Sequence, residues 1–450
     1  MRRILQKVRL VLRWENGMGK RKITPKTLTT IYGILLLTVY FLFVGPGGYT
    51  SITMNKYLVL LVLSGGYLLS LMLYNRGIHG SVSWFTPARV AILVFAGCSI
   101  LSTFLSPFWR QAILGGARKE GLITILLYVI LFLTFSTYGF SLKLFAYLSG
   151  GSMTIFCLIA FLQLDGRNPF VLYPEGLNYF GAGADYMSEY LGTLGNVDLV
   201  AAAMCLLIPF YVHYIILQRK DPWRFFLLLP LLLCIAVTVK MWVLAAFVGL
   251  IVGLMLSIPI LLGNYRTARN LSIAGIAVLV VGGLMTLRFV DSGSGLFHEL
   301  HAILNGEISE DFGSQRIAIW RQVWEVIREQ PLWGSGPDTL ELWGKGFQGY
   351  SAFYQAHVTT LIDTAHNEYL NIWVNQGIFA LIAYFAALVC LAWKWIKYAG
   401  HHANAAICGC AVLCYCVQAF FGMSSCITAP YFWMLLGMLQ YEVARPVFDR

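Results

Sequence analysis

Charge is scarce in this sequence. Only 12% of its 450 residues are Asp, Glu, Lys or Arg, about half the roughly 25% of a soluble globular domain. A chain this poor in charge and 58% hydrophobic is excluded from the soluble and the disordered classes and reads as a polytopic membrane protein. Cysteine is absent from the one long hydrophilic stretch, 291–362, which excludes a disulfide framework there. The ten cysteines fall almost entirely in apolar runs, and the cluster Cys408, Cys410, Cys414 and Cys416 reads as small residues packing between helices, not as a metal site. No small-residue cleavage site follows the first apolar run, so residues 1–27 read as a basic cytoplasmic tail before an uncleaved span.

What is present in abundance is apolar sequence in runs of bilayer length. They fall at about 28–45, 57–74, 88–105, 121–137, 142–164, 196–217, 223–239, 241–262, 270–290, 370–396, 404–422 and 427–442. The expectation is an all-α protein with about twelve transmembrane helices, both termini cytoplasmic, in a single integral-membrane domain over 1–450. With that topology most Lys and Arg lie in cytoplasmic segments and most Asp and Glu in external ones, as the positive-inside rule requires. The net charge of +11 is therefore a matter of topology, and nothing in it calls for a nucleic-acid partner.

Two external segments break the pattern of short loops, 165–195 and 291–362, the second between spans nine and ten. A connection of that length must carry structure of its own. Inside it, "SQRIAIWRQVWEVIREQPLWGSGPDT" reads as an amphipathic helix capped by Ser314 and ended by Pro331 and the following Gly-rich turn. Ile317, Trp320, Val323, Trp324 and Ile327 form its apolar stripe. Arg316 falls in the first turn, where the helix dipole disfavours a cation, and is better explained by an anion beside it.

Span ten opens with "DTAHNEYLNIWVNQG". Asp363 or Thr364 can cap a helix that His366 opens, and Asp363, Asn367, Asn371 and Asn375 recur every four residues as one polar stripe. Lipid cannot satisfy such groups, so the stripe must border a hydrophilic pocket at the external end. His366, near a helix N-terminus, is a candidate proton acceptor. Arg118 in "ARKEG" and Lys240 in "TVKMW" lie outside or at membrane depth, against the positive-inside trend. A phosphate-bearing ligand or a nearby carboxylate would supply their counter-ion.

The ordered elements, an Arg four residues before a Trp, a Pro-Leu-Trp-Gly-Ser-Gly-Pro turn, then His366–Asn367 with Gly377, resemble the signature of the O-antigen ligase and O-antigen polymerase superfamily. The resemblance is sharpest over about 235–395; Ala380 stands where the motif has a small or hydroxyl residue. It implies a membrane-embedded glycosyltransferase of the GT-C class that needs no metal and no cofactor. Such an enzyme moves a glycan from an undecaprenyl-diphosphate donor to a sugar hydroxyl of a glycan or lipid-core acceptor, with inversion, at the outer face of the bacterial cytoplasmic membrane. It further implies Arg316 and His366 as the catalytic pair, and an Arg just after span seven, where this chain has Lys240. Lysine keeps that charge without the bidentate geometry. Lys240, Arg118, Asn367, Asn371 and Asp363 are then the candidate substrate-binding residues, the 291–362 loop covers the site, and membrane lipids surround it. The acceptor class is left open: a polymerase, which a chain-length regulator would accompany, or a ligase. A chain ending soon after its last span points away from transfer to protein. The alternative class is a transporter or a lipid-linked glycan flippase, for which intramembrane polar residues are also common.

Overall fold

A computed structural model describes residues 24–74, 85–173, 191–293, 295–309, 312–351 and 356–444. The basic tail 1–23 and most of the 165–195 segment lie outside the described residues. Every expected apolar run that is described is helical, and among the described residues eight helices are long and apolar enough to cross a membrane: Ile52–Tyr74, Pro87–Leu105, Leu142–Leu164, Val197–Leu217, Pro222–Met241, Leu244–Leu261, Arg266–Phe289 and Ile378–Tyr398. The remaining runs form shorter helices, at Pro25–Leu35, Leu122–Tyr138, Ala403–Gln418 and Ala429–Ala444. The first of these continues through a π turn, Leu36–Tyr40.

The chain therefore builds α1 (Pro25–Leu35), α2 (Ile52–Tyr74), α3 (Pro87–Leu105), α4 (Trp109–Leu114), α5 (Leu122–Tyr138), α6 (Leu142–Leu164), α7 (Val197–Leu217), α8 (Leu228–Met241), α9 (Leu244–Leu261) and α10 (Arg266–Phe289). It then forms α11 (Gly295–Asn305) and α12 (Phe312–Glu329), before α13 (Glu368–Gln376), α14 (Ile378–Tyr398), α15 (Ala403–Gln418) and α16 (Ala429–Ala444). The main packing pairs are α16 on α5, α14 on α3, and α15 on both α7 and α9. Small residues let these backbones approach: a methyl at Gly253 would meet Cys414, and one at Gly249 would meet Gln418 and Cys205. The clustered cysteines are thus packing residues on α15, free of disulfides.

Buried polar groups inside the bundle are satisfied at helix ends. The last turn of the first helix leaves carbonyls without intrahelical partners, and the fully buried Lys56 donates to two of them, Tyr40 O at 2.7 Å and Phe41 O at 2.8 Å. Arg89, also fully buried, donates to Ser136 O (2.7 Å) and Thr137 Oγ1 (3.1 Å) at the C-terminus of α5, where the helix dipole favours a cation.

Three features of the long loop depart from the sequence expectation. It is not wholly helical: β1 (Gly346–Ser351) and β2 (Ala356–Leu361) pair antiparallel, from Gly346 opposite Leu361 to Ser351 opposite Ala356. Its helix α12 starts at Phe312, but Gly313 and Gln315 are in the left-handed region, so regular winding begins near Arg316. The buried side of α12 is Ile319, Val323, Val326 and Ile327, with Trp324 on the rim against Trp373 at 5.3 Å. These residues form a second small core with Leu340, Ile362, Ala365 and Val374, which seats the loop on the start of α13.

Span ten is also broken. Gly377, with φ +86°, ends α13 and opens α14. The break follows from a crossing of backbones: a Cβ on Gly377 would run into Leu332 O, and one on Gly334 would meet the Asn375 carbonyl at 2.6 Å. Ser335 N donates to Val374 O, Gly336 N to Asn375 O and Ile378 N to Pro331 O. The Gly-Ser-Gly turn and the Asn-Gln-Gly break are therefore one joint, in which each segment satisfies the other's free backbone groups.

Candidate functional site

The loops 106–121, 335–340, 362–367 and 419–428 meet at one end of the bundle together with the start of α7. Arg316, at the start of regular winding in α12, donates through Nη1 to Gly313 O at 2.8 Å and through Nη2 to Phe421 O at 3.1 Å. Its Nε is buried and has no partner among the described residues. A guanidinium held by two carbonyls with its Nε–H left over is a donor set in search of an anionic oxygen.

His366 lies just before α13 with φ +46°, a conformation that non-glycine residues rarely hold unless their surroundings impose it. Two bonds impose it. Trp320, one turn beyond Arg316, donates Nε1–H to Ala365 O at 2.9 Å, and Asn371 Oδ1 accepts from Ala365 N at 3.2 Å. The Arg-to-Trp spacing thus ties the Arg316 helix to the His366 loop.

Between the two stands a residue that the sequence reading did not single out, Asp198, in the first turn of α7. Its Oδ1 lies 3.8 Å from Arg316 Nη2 and its Oδ2 lies 3.4 Å from His366 Nδ1. These are ion-pair distances, longer than direct hydrogen bonds. Asn196 caps α7, accepting from Asp198 N at 2.8 Å, and the helix dipole favours a carboxylate there. With Asp198 on its Nδ1 side, the carboxylate favours the tautomer of a neutral His366 that carries its hydrogen on Nδ1. The sequence signal was available: "GNVDLV" sets a carboxylate inside an expected span.

The other site candidates have local tasks. Asn367, and neither Asp363 nor Thr364, caps the helix: its Oδ1 accepts from Tyr369 N and Leu370 N, both at 3.0 Å, and the residue is 2% exposed. The helix opens at Glu368, so the four-residue stripe is helical only from its third member, Asn371, onward. Asn371 braces the 364–366 turn, accepting also from Thr364 Oγ1. Arg118 and Asp363, expected to bind substrate separately, face each other: Nε–Oδ2 is 2.8 Å and Nη2–Oδ1 is 3.0 Å, the bidentate pairing for which Arg is suited. Lys240 is exposed in the last turn of α8, next to α7, and makes no ion pair with any described residue. Because α7 and α8 are joined by the short connection 218–227 they run antiparallel, which puts Lys240 at the same end as Asp198. A larger cavity of about 510 Å3, lined by Lys143, Lys220 and Asp221, lies away from this end and contains none of these residues.

Asn367 gives a direct test of capping against binding. Asn367→Ala is expected to lower stability by about 1 kcal/mol, the usual cost of a lost N-cap, while Asn367→Ser retains most of it. Thermal unfolding in detergent reads this. A wild-type melting temperature in the Ala variant, with weakened ligand binding, would instead make Asn367 a ligand contact.

Residues 225–385 match the family model described as O-Antigen ligase, which bears out over that segment the resemblance read from the sequence. The matched stretch contains Lys240, Arg316 and His366; Asp198 and Arg118 lie outside it. No curated protein matches the chain.

Proposed function

From an O-antigen ligase match that spans both Arg316 and His366, we propose that this protein is an inverting, metal-independent glycosyltransferase. It takes a glycan from an undecaprenyl-diphosphate donor and joins it to an acceptor sugar hydroxyl at the outer face of the cytoplasmic membrane, with about twelve spans and both termini cytoplasmic. The observation that carries the reading is the Arg316–Asp198–His366 row with the unpartnered Arg316 Nε. In this mechanism Arg316 binds the donor diphosphate, with Lys240 as a second cation from the end of α8. His366 Nε2 takes the acceptor hydroxyl proton as that oxygen bonds to the anomeric carbon. The bond from that carbon to the phosphate oxygen breaks on the opposite face, and undecaprenyl diphosphate leaves with the electron pair. Charge builds on the leaving diphosphate, and a fixed cation there contributes most in the transition state.

The test is reconstitution. Purified protein in lipid, given undecaprenyl-diphosphate-linked glycan, acceptor and a chelator, is expected to release undecaprenyl diphosphate and form a new glycosidic bond. Translocation of the donor without bond formation would overturn the proposal. A product ladder of many repeats identifies a polymerase, and single-block transfer to a lipid core identifies a ligase.

A further inference from the structure

We infer that the Arg118–Asp363 pair is a positioning clamp: it ties the turn that carries His366 to the connection between α4 and α5, and so holds the imidazole beside Asp198. The inference rests on the role proposed for His366. By type and place Arg118 would suit a donor phosphate, but its donors are engaged elsewhere. Nε and Nη2 donate to Asp363 Oδ2 and Oδ1 at 2.8 and 3.0 Å, and Nη1 meets the Met423 sulfur. Arg316, by contrast, keeps a buried Nε with no partner among the described residues.

A clamp needs a firm base, and the Gly-rich connection 115–121 supplies one. Gly115 at φ +77° and Lys119 at φ +56° fold it back on itself, so closely that a methyl on Gly115 would lie 2.7 Å from Lys119 Cα. The fold is then fastened to the 335–340 segment. Asp338 Oδ2 accepts from Gly116 N at 2.5 Å and from Glu120 N at 3.2 Å, and Gln111 Nε2 donates to Asp338 O at 3.0 Å. Arg118 therefore projects from backbone that is held on both sides of it.

At the far end of the clamp, the turn 362–366 is braced by the long loop and by α13. Ile362 sits in the small core and donates its N–H to Lys345 O at 3.0 Å. Ala365 is held by Trp320 of α12 and by Asn371 of α13. Arg118 adds a tie from a third element, two residues before Ala365 and three before His366. A residue at φ +46° persists only where its surroundings over-determine it, and a bidentate fork fixes direction as well as distance. The position so fixed is the one in which His366 Nδ1 stands 3.4 Å from Asp198 Oδ2.

The pair contributes little to overall stability, because its side chains are 24% and 38% exposed and exposed ion pairs are worth little. Its effect on rate is larger, since misplacing a reacting group by about 1 Å can cost on the order of a hundredfold. A clamp and a ligand contact are therefore separable. The clamp acts through kcat and requires Asp363. A direct contact from Arg118 to the donor phosphate acts through donor affinity and does not.

The experiment compares the purified full chain in lipid as wild type, Arg118→Gln, Asp363→Asn and the double variant. Each single variant is expected to lower kcat for glycan transfer about tenfold to a hundredfold, with donor KM and melting temperature little changed. The double variant is expected to match the singles, as for two residues that act as a unit. Diethyl pyrocarbonate, followed by mass spectrometry of the peptide carrying His366, reads the imidazole without any transfer. The ring is 27% exposed and should be modified severalfold faster once the clamp is opened, equally in all three variants. A raised donor KM in Arg118→Gln alone would make Arg118 a ligand and overturn the inference. So would losses that multiply in the double variant, or a wild-type modification rate in both single variants. Should Arg118→Gln not fold, Asp363→Asn against wild type carries the test. A wild-type protein that forms no glycosidic bond removes the proposed function, and the modification rates then decide the clamp alone.

Discussion

Arg316→Ala is expected to lower the proposed glycan transfer by about a hundredfold to a thousandfold, the scale seen when a positioned charge-stabilising donor is removed. The loss should appear in kcat and in kcat/KM alike, because the guanidinium is most useful when the diphosphate departs and least useful before. Arg316→Lys is expected to recover only part of the rate. An ammonium supplies the charge but cannot both span the Gly313 and Phe421 carbonyls and keep a third N–H for the ligand. Guanidinium added to the Ala variant should restore some turnover, which a folding defect would not allow. The protein should remain folded, since Arg316 is held by two backbone carbonyls and a carboxylate at 3.8 Å, and partly exposed ion pairs contribute little to stability. Arg316→Ala activity within tenfold of wild type would remove this residue from the site.

How much of this was legible in the sequence depends on whether the cause is local. Lipid imposes its demand residue by residue, so hydropathy located the helices, and the surplus of polar residues at the start of span ten marked the site end. Four further apolar runs also form helices, shorter than the eight long ones. The break at Gly377 has no local cause, because one glycine inside an apolar run is tolerated. It exists because Leu332 crosses there. The cap of α13 was misplaced for a similar reason: Asp363 is an equally good capping residue by type, but Arg118, distant in sequence, engages it. The β hairpin, with Gly346, Gly349 and Ser351 in its first strand, offers weak strand propensity and no clear alternation to read. Asp198 is hard to read from sequence because it sits just inside a span, where a carboxylate at a helix start is ordinary.

Asp198 carries the second large effect. Asp198→Asn is expected to cost about tenfold to a thousandfold in kcat with little change in donor KM. That range lies below the loss of about 10⁴ that the same change beside a catalytic imidazole causes in serine proteases through the wrong tautomer, because at 3.4 Å the hold on His366 is looser. Asn removes the charge and can present an N–H to Nδ1, which would turn the lone pair of His366 away from the acceptor. Asp198→Glu, which restores the carboxylate at the end of a longer arm, should recover part of the loss. A carboxylate that merely braced the start of α7 would predict something different, because its loss would multiply with any other. The double variant separates the two. If Asp198 acts through His366, then Asp198→Asn adds almost nothing once His366 is Ala, since residues working as a unit are strongly non-additive. If the two losses multiply instead, Asp198 does not orient His366, and the row reduces to Arg316 and His366 acting apart.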